Sequence, residues 1–141
     1  MPNPGPKEPK GLSEIIDYTS RNIKTIPADA TVQEAGRLMD KFSVGSLLVV
    51  KDGQYAGIVT DTDLARKGAA RGINPEKEPI KSLMSSPIIT IEGDRSVEET
   101  QAFMKARGVR HLAVMEDGKI VGIVTLSDVI RYYANFFATT E

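Results

Sequence analysis

Two threonine–aspartate pairs stand out in a chain of 141 residues. Thr60 and Asp63 lie in GIVTDTDLAR, Gly57–Arg66, and Thr125 and Asp128 lie in GIVTLSDVIR, Gly122–Arg131. In each phrase an apolar run ends at the threonine, and the aspartate follows three positions later. A hydroxyl and a carboxylate at that spacing can cap the first turn of a helix, each side chain satisfying a backbone N–H of the other residue. The carboxylate can also accept two hydrogen bonds from vicinal hydroxyls. A helix start attracts anions through its free N–H groups, but a carboxylate there repels phosphate, so the pattern suits a ribose diol better. The motif leaves both readings open, and they are compatible, since an aspartate can cap while its site is empty.

Phosphates would need cations nearby. GVRHLAV, Gly108–Val114, places Arg110 and His111 where a strand begins. Arg110 can fork onto a phosphate and His111 can donate when protonated. The plainer alternative is a solvated arginine beside a histidine packed at a strand edge. The matching positions in the earlier copy are Gly45 and Ser46, and Asp61 stands there where the later copy has Leu126. The two copies are therefore expected to hold ribose alike and phosphate unequally.

Composition closes off other chemistries. The absence of cysteine excludes disulfides, zinc–thiolate sites and cysteine nucleophiles. His111 is the single histidine, which excludes multi-histidine metal sites. There is no G-x-x-x-x-G-K-[ST] loop and no recognisable nucleophile–base frame, so the expectation is a non-enzyme with no metal and no obligatory cofactor. A formal net charge of -1 gives no hint of nucleic acid or an anionic membrane as partner. Runs such as Leu47–Val50 are too short to cross a bilayer, and MPNPGPKEPKG lacks the apolar core of a signal peptide. Cytoplasmic residence is the expectation that fits these features.

The elements that must position these residues come from a duplication. Aligning Gly57 with Gly122 sets an offset of 65, and Ile23–Lys67 then runs against Ile88–Tyr132 without a gap, with 18 of 45 positions identical. LSEII, Leu12–Ile16, also resembles IKSLM, Ile80–Met84, with a small length difference. Units of this size are too small to bury a good core alone, so two should pack as one pseudo-symmetric body.

Each unit reads β-α-β-β-α. Short extended runs, Ile23–Ile26 and Ile88–Ile91, precede the capping boxes TVQE, Thr31–Glu34, and SVEE, Ser96–Glu99. Val32, Ala35, Leu38, Met39 and Phe42 then recur at helical spacing, echoed by Val97, Phe103 and Met104, and Gly108 closes the second of these helices. The Asp-Gly pairs at Asp52–Gly53 and Asp117–Gly118 predict two-residue hairpin turns, and further helices start after Thr60 and Thr125. The strands joined through a helix should be parallel. The expected division is a disordered tail or expression scar at 1–11, repeat one at 12–71, a linker at 72–79, repeat two at 80–137 and a tail at 138–141.

A β-α-β-β-α unit ending in two apolar residues and Thr-x-x-Asp, duplicated in tandem, resembles the CBS domain pair, or Bateman module, over nearly all of Leu12–Phe137. The resemblance implies an α/β (α+β) fold of two repeats packed about a pseudo-two-fold axis. It also implies a stand-alone sensor or regulatory module binding adenosine-containing ligands (AMP, ADP, ATP or S-adenosylmethionine) in clefts between the repeats. In the family the matching aspartates, here Asp63 and Asp128, hold the ribose, and the matching threonines, Thr60 and Thr125, help position ribose or phosphate. A basic pair at the place of Arg110 and His111 reaches the phosphates, with Gly45 and Ser46 as its counterpart. Adenine is met by backbone around Thr25–Pro27 and Thr90–Glu92, which brings in Thr25, Pro27 and Thr90. Partners implied are an adenine nucleotide, a second copy through the helices and an effector protein of unknown identity, with neither nucleic acid nor membrane. The aromatic last helix, with Tyr132, Tyr133, Phe136 and Phe137, fits packing within the pair, a dimer face, or both. An interaction scaffold of the same fold with no physiological nucleotide is the alternative.

Overall fold

The structure, a computed structural model, describes residues 14–138, with side chains to residue 135. The tail expected at 1–11, residues 139–141, Leu12, and the side chains of Phe136 and Phe137 lie outside that range.

Alternating apolar residues and capping boxes produce the expected order twice. β1 (Thr25–Pro27) leads to α1 (Val32–Phe42), then to β2 (Ser46–Lys51) and β3 (Gln54–Thr60). A single helical turn, α2 (Asp61–Asp63), follows and continues as a π-helical stretch, Leu64–Ala69. The second series is β4 (Thr90–Glu92), α3 (Val97–Arg107), β5 (His111–Glu116), β6 (Lys119–Thr125) and α4 (Leu126–Ala138). β1 pairs parallel with β2 and β4 with β5, while β2–β3 and β5–β6 are antiparallel hairpins. Both sheets therefore run in chain order, with the middle strand central.

Local chemistry accounts for each boundary. Thr31 Oγ1 accepts from the Glu34 N–H at 3.2 Å, and Glu34 Oε1 accepts from the Thr31 N–H at 2.9 Å. Ser96 and Glu99 repeat this at 2.9 Å in both directions. α3 ends on Gly108 at φ 67°, as the glycine predicts, whereas α1 ends on Ser43 forced into the same left-handed region at φ 53°. The hairpin turns have both central residues at positive φ, 53° and 76° at Asp52–Gly53 and 52° and 77° at Asp117–Gly118. That is the backbone twist that two-residue hairpins require.

The compact units do not follow the order of the repeats. One unit is Ile23–Ile89, and the other joins the N-terminal residues through Asn22 to the stretch from Thr90 onward. Each repeat is preceded by a short 3₁₀ turn, Ile15–Tyr18 and Ile80–Ser82, and each leader completes the hairpin of the other copy. The Ser20 N–H donates to the Ile123 carbonyl at 3.0 Å and the Ile123 N–H donates back at 2.9 Å. Ser85 and Ile58 do the same at 2.8 and 3.0 Å. Ile15 and Ile80 are both fully buried. These pairs keep the offset of 65, so the true counterpart of Ile80 is Ile15. This corrects the expected match of Leu12–Ile16 with Ile80–Met84 and removes its length difference. Backbone pairing to equivalent strand residues fixes the register more tightly than short apolar strings do.

The stretch expected as a linker is built into this packing. The Pro75 and Glu78 carbonyls accept the Gln33 and Val32 N–H groups, each at 2.9 Å, satisfying the first free donors of α1. The core of Ile23–Ile89 gathers Ile26, Val32, Ala35, Met39, Leu47, Val49 and Val59 with Ile80 and Leu83 of the leader. Phe42, expected on the core stripe, is instead 37% exposed. It is the last residue of α1, where Ser43 turns the chain, and Lys24 Nζ sits 4.1 Å from its ring centroid. In α4, Val129 and Tyr132 are buried while Ile130 faces outward, so apolar residues do lie on more than one face of that helix.

Candidate ligand-binding corners

Strand register brings the predicted residues together in two groups, one in each compact unit. Ser46 pairs with Thr60 across β2–β3, and His111 pairs with Thr125 across β5–β6. The carbonyl of Gly45 accepts the Asp61 N–H at 2.9 Å, and that of Arg110 accepts the Leu126 N–H at 2.9 Å. Gly45, Ser46, Thr60 and Asp63 thus share one corner where a strand hands over to a helix, and Arg110, His111, Thr125 and Asp128 share the other. Strand pairing and the Arg110 carbonyl set Arg110 and His111 beside Thr125 and Leu126 at the start of the helix that carries Asp128. Thr25, Pro27 and Thr90 lie across the central strands on the opposite edge, paired with Leu48, Val50 and Ala113. Thr90 also lines a pocket of about 380 Å³ with Ile91, Glu92, Arg95, Glu99 and Phe103.

Both threonine–aspartate pairs form helix caps. Asp63 Oδ2 accepts the Thr60 N–H at 2.9 Å and Thr60 Oγ1 accepts the Asp63 N–H at 3.2 Å. Asp128 Oδ2 accepts the Thr125 N–H at 2.8 Å and the Thr125 hydroxyl at 3.0 Å, and Thr125 Oγ1 lies 3.2 Å from the Asp128 N–H. In each case the second carboxylate oxygen meets a cation that the sequence reading did not single out. Lys67 Nζ stands 3.1 Å from Asp63 Oδ1, and Arg131 Nη1 stands 2.9 Å from Asp128 Oδ1. The signal for both was present, because positions three and four beyond an aspartate share its face of a helix.

The corners also differ in their backbone donors. At the first, the N–H groups of Asp61, Thr62 and Asp63 are taken by Gly45 O, Asp61 Oδ1 and Thr60 Oγ1. The outward-pointing free amides expected at that helix start are thus engaged within the chain. At the second, Leu126 replaces Asp61 and carries no side-chain oxygen to take the Ser127 N–H. The Arg110 side chain is exposed, while Asp63 is buried and Asp128 is partly so. Among the described residues, no group of three or more His, Cys, Asp or Glu side chains is placed to hold a metal ion, and no helix is long and apolar enough to cross a membrane.

Known proteins share both the sequence and this architecture. The family model of the CBS domain matches residues 13–70 and again residues 80–135. An uncharacterised protein of Methanopyrus kandleri is 33% identical over 129 residues, a match covering 90% of this chain and 66% of that protein. A CBS-domain protein of Burkholderia ambifaria MC40-6 assigned to signal transduction superposes with a TM-score of 0.80 at 29% identity, covering 86% of this chain and 91% of the other. A hexameric CBS-CP12 protein from bloom-forming cyanobacteria gives a TM-score of 0.77 at 27% identity, covering 83% and 66%. With both repeats matched and the tandem fold shared, the chain belongs to the CBS-domain family.

Proposed function

We propose that the chain is a regulatory module that takes an adenosine-containing ligand at its threonine–aspartate corners, self-associates, and passes the signal to a separate effector protein. The observation that carries this reading is the repeated corner itself. A buried or half-buried carboxylate stands at a strand-to-helix junction, within reach of a ligand's diol, beside the residue pair that starts the central strand. Arg110 favours the Asp128 corner as the phosphate site, and the charge of Asp61 disfavours the Asp63 corner. Ligand at either corner would shift the population of conformations that an effector reads. The hexameric relative and the signal-transduction relative support self-association and a regulatory role.

A second reading is an interaction scaffold with no physiological nucleotide. It is favoured by the carboxylates already being engaged by the chain's own donors and cations. Thermal unfolding with AMP, ADP, ATP, S-adenosylmethionine and NADH separates the two. A ligand at 100 times its dissociation constant stabilises by about 2.7 kcal/mol. Asp63→Asn and Asp128→Asn keep an oxygen for the caps and remove the charge, so the stabilisation should fall in one or both. No shift with any of the five overturns the nucleotide reading in favour of the scaffold. A shift that survives both substitutions shows that the ribose is held elsewhere.

A further inference from the structure

The offset of 65 sets Lys67 against Tyr132 and the leader residue Leu83 against Tyr18. The two compact units use these equivalent pairs for one task, joining the helix after the hairpin to the leader, with different chemistry. Tyr132 is buried and stacks edge-on against Tyr18, with centroids 4.9 Å apart and planes at 75°. That is a ring-to-ring contact. Lys67 instead gives its ammonium to three acceptors: Asp63 Oδ1 at 3.1 Å, the Leu83 carbonyl at 3.2 Å and Ser85 Oγ at 3.4 Å. An ammonium has three N–H donors, so these contacts use its full capacity. The lysine side chain is 32% exposed and that of Asp63 12%, which shields the cluster from the full screening of water.

Glycine leaves the approach unstrained. Gly68, next to Lys67, lies where an added Cβ would stand 3.3 Å from Leu83 Cδ2. Ser85 in turn is hydrogen-bonded to Ile58 of β3 in both directions. A continuous polar path therefore runs from the Asp63 carboxylate through Lys67 to Leu83 and Ser85, and on to β3. At the other corner the second oxygen of Asp128 goes to Arg131, whose side chain is 63% exposed.

We propose that Lys67 is a positioning residue that couples occupancy of the Asp63 corner to the leader segment 83–85, whereas Asp128 turns its second oxygen to Arg131. This rests on the reading of the aspartates as diol holders. A ligand hydroxyl that donates to Asp63 Oδ1 competes with Lys67 for the same oxygen. The weakened ammonium contact then loosens its hold on the Leu83 carbonyl and Ser85, and the pairing of Ser85 with Ile58 opens more often. At the other corner a ligand hydroxyl would compete for Asp128 Oδ1 with Arg131, an exposed side chain.

Amide hydrogen exchange of the full chain tests this, with wild type, Lys67→Met and Lys67→Arg, each alone and with saturating AMP, ATP or S-adenosylmethionine. Without ligand, Lys67→Met should exchange roughly three- to five-fold faster at Met84, Ser85 and Ile58 than wild type, with no change at Ser20 and Ile123. Lys67→Arg, which keeps the cation, should restore most of the protection. Ligand should accelerate the same three amides in wild type and leave Lys67→Met unmoved. Unchanged exchange in ligand-free Lys67→Met overturns the hold of Lys67 on segment 83–85, whatever binds. Binding by calorimetry with an equal exchange response in wild type and Lys67→Met overturns the coupling alone. Absence of calorimetric binding of all three ligands to wild type overturns the diol reading and the coupling that depends on it.

Discussion

Gly57 lies against the backbone of Ser85: a Cβ added at Gly57 would stand 2.8 Å from the Ser85 carbonyl oxygen and 2.7 Å from Met84 Sδ. Gly122 meets Ser20 and Thr19 in the same way. The glycine that opens each GIVT phrase is therefore a clearance for the leader. Gly57→Ala should destabilise the protein by about 1–3 kcal/mol, because backbone must move to make room. Gly36→Ala is the contrast, since its Cβ would meet only Leu64 Cδ1 at 4.0 Å and it lies inside α1. That change should stabilise by about 0.5–1 kcal/mol. Urea unfolding with matched m-values measures both, and equal effects would refute the clearance argument.

The leaders should carry core weight. Ile15 and Ile80 are fully buried, so Ile15→Ala and Ile80→Ala should each cost about 2–5 kcal/mol. A cost below about 0.5 kcal/mol, typical of a surface position, would mean that the leaders are only loosely attached.

Glu34 should titrate below the ordinary carboxylate range. The Thr31 backbone N–H is the main cause and the Thr31 hydroxyl the next; desolvation opposes them, and Arg37 adds the least. A lowered folded-state value means a stability contribution present above the unfolded value and lost as pH falls through the folded one. Carboxyl NMR titration should show the value rising part of the way back in Thr31→Ala, because the backbone donor remains. The same substitution should cost about 1 kcal/mol through loss of the cap. A Glu34 titration unchanged by Thr31→Ala would show that the hydroxyl plays no part.

Arg110→Ala should weaken AMP and ATP by roughly tenfold, the order of one lost charge-assisted hydrogen bond. S-adenosylmethionine, which has no phosphate, should be little affected. Calorimetry that shows an equal loss for all three would remove Arg110 from the phosphate site.

Much of this architecture was legible before any coordinates. Capping boxes, Asp-Gly turns and the offset of 65 set the elements because each depends on chemistry within a few residues of chain. The threonine–aspartate caps belong to the same class. The role of Lys67 is not legible in the sequence, because it depends on Leu83 and Ser85, brought back by a turn after Pro75 and Glu78 have capped α1. The exposure of Phe42 is not legible either, because helical periodicity does not reveal where a helix runs past the body it covers.

The sequence by itself determined that one β-α-β-β-α unit is written twice, and that a threonine–aspartate pair starts the helix after each hairpin, since local hydrogen bonding and apolar spacing suffice for that. Only the tertiary structure decided that each leader completes the other copy's hairpin, that Arg110 and His111 share a corner with Asp128, and that Lys67 binds Asp63 to the segment 83–85. Those relations are made by backbone pairing and side-chain reach between residues distant in the chain, and the spacing of letters carries no record of them.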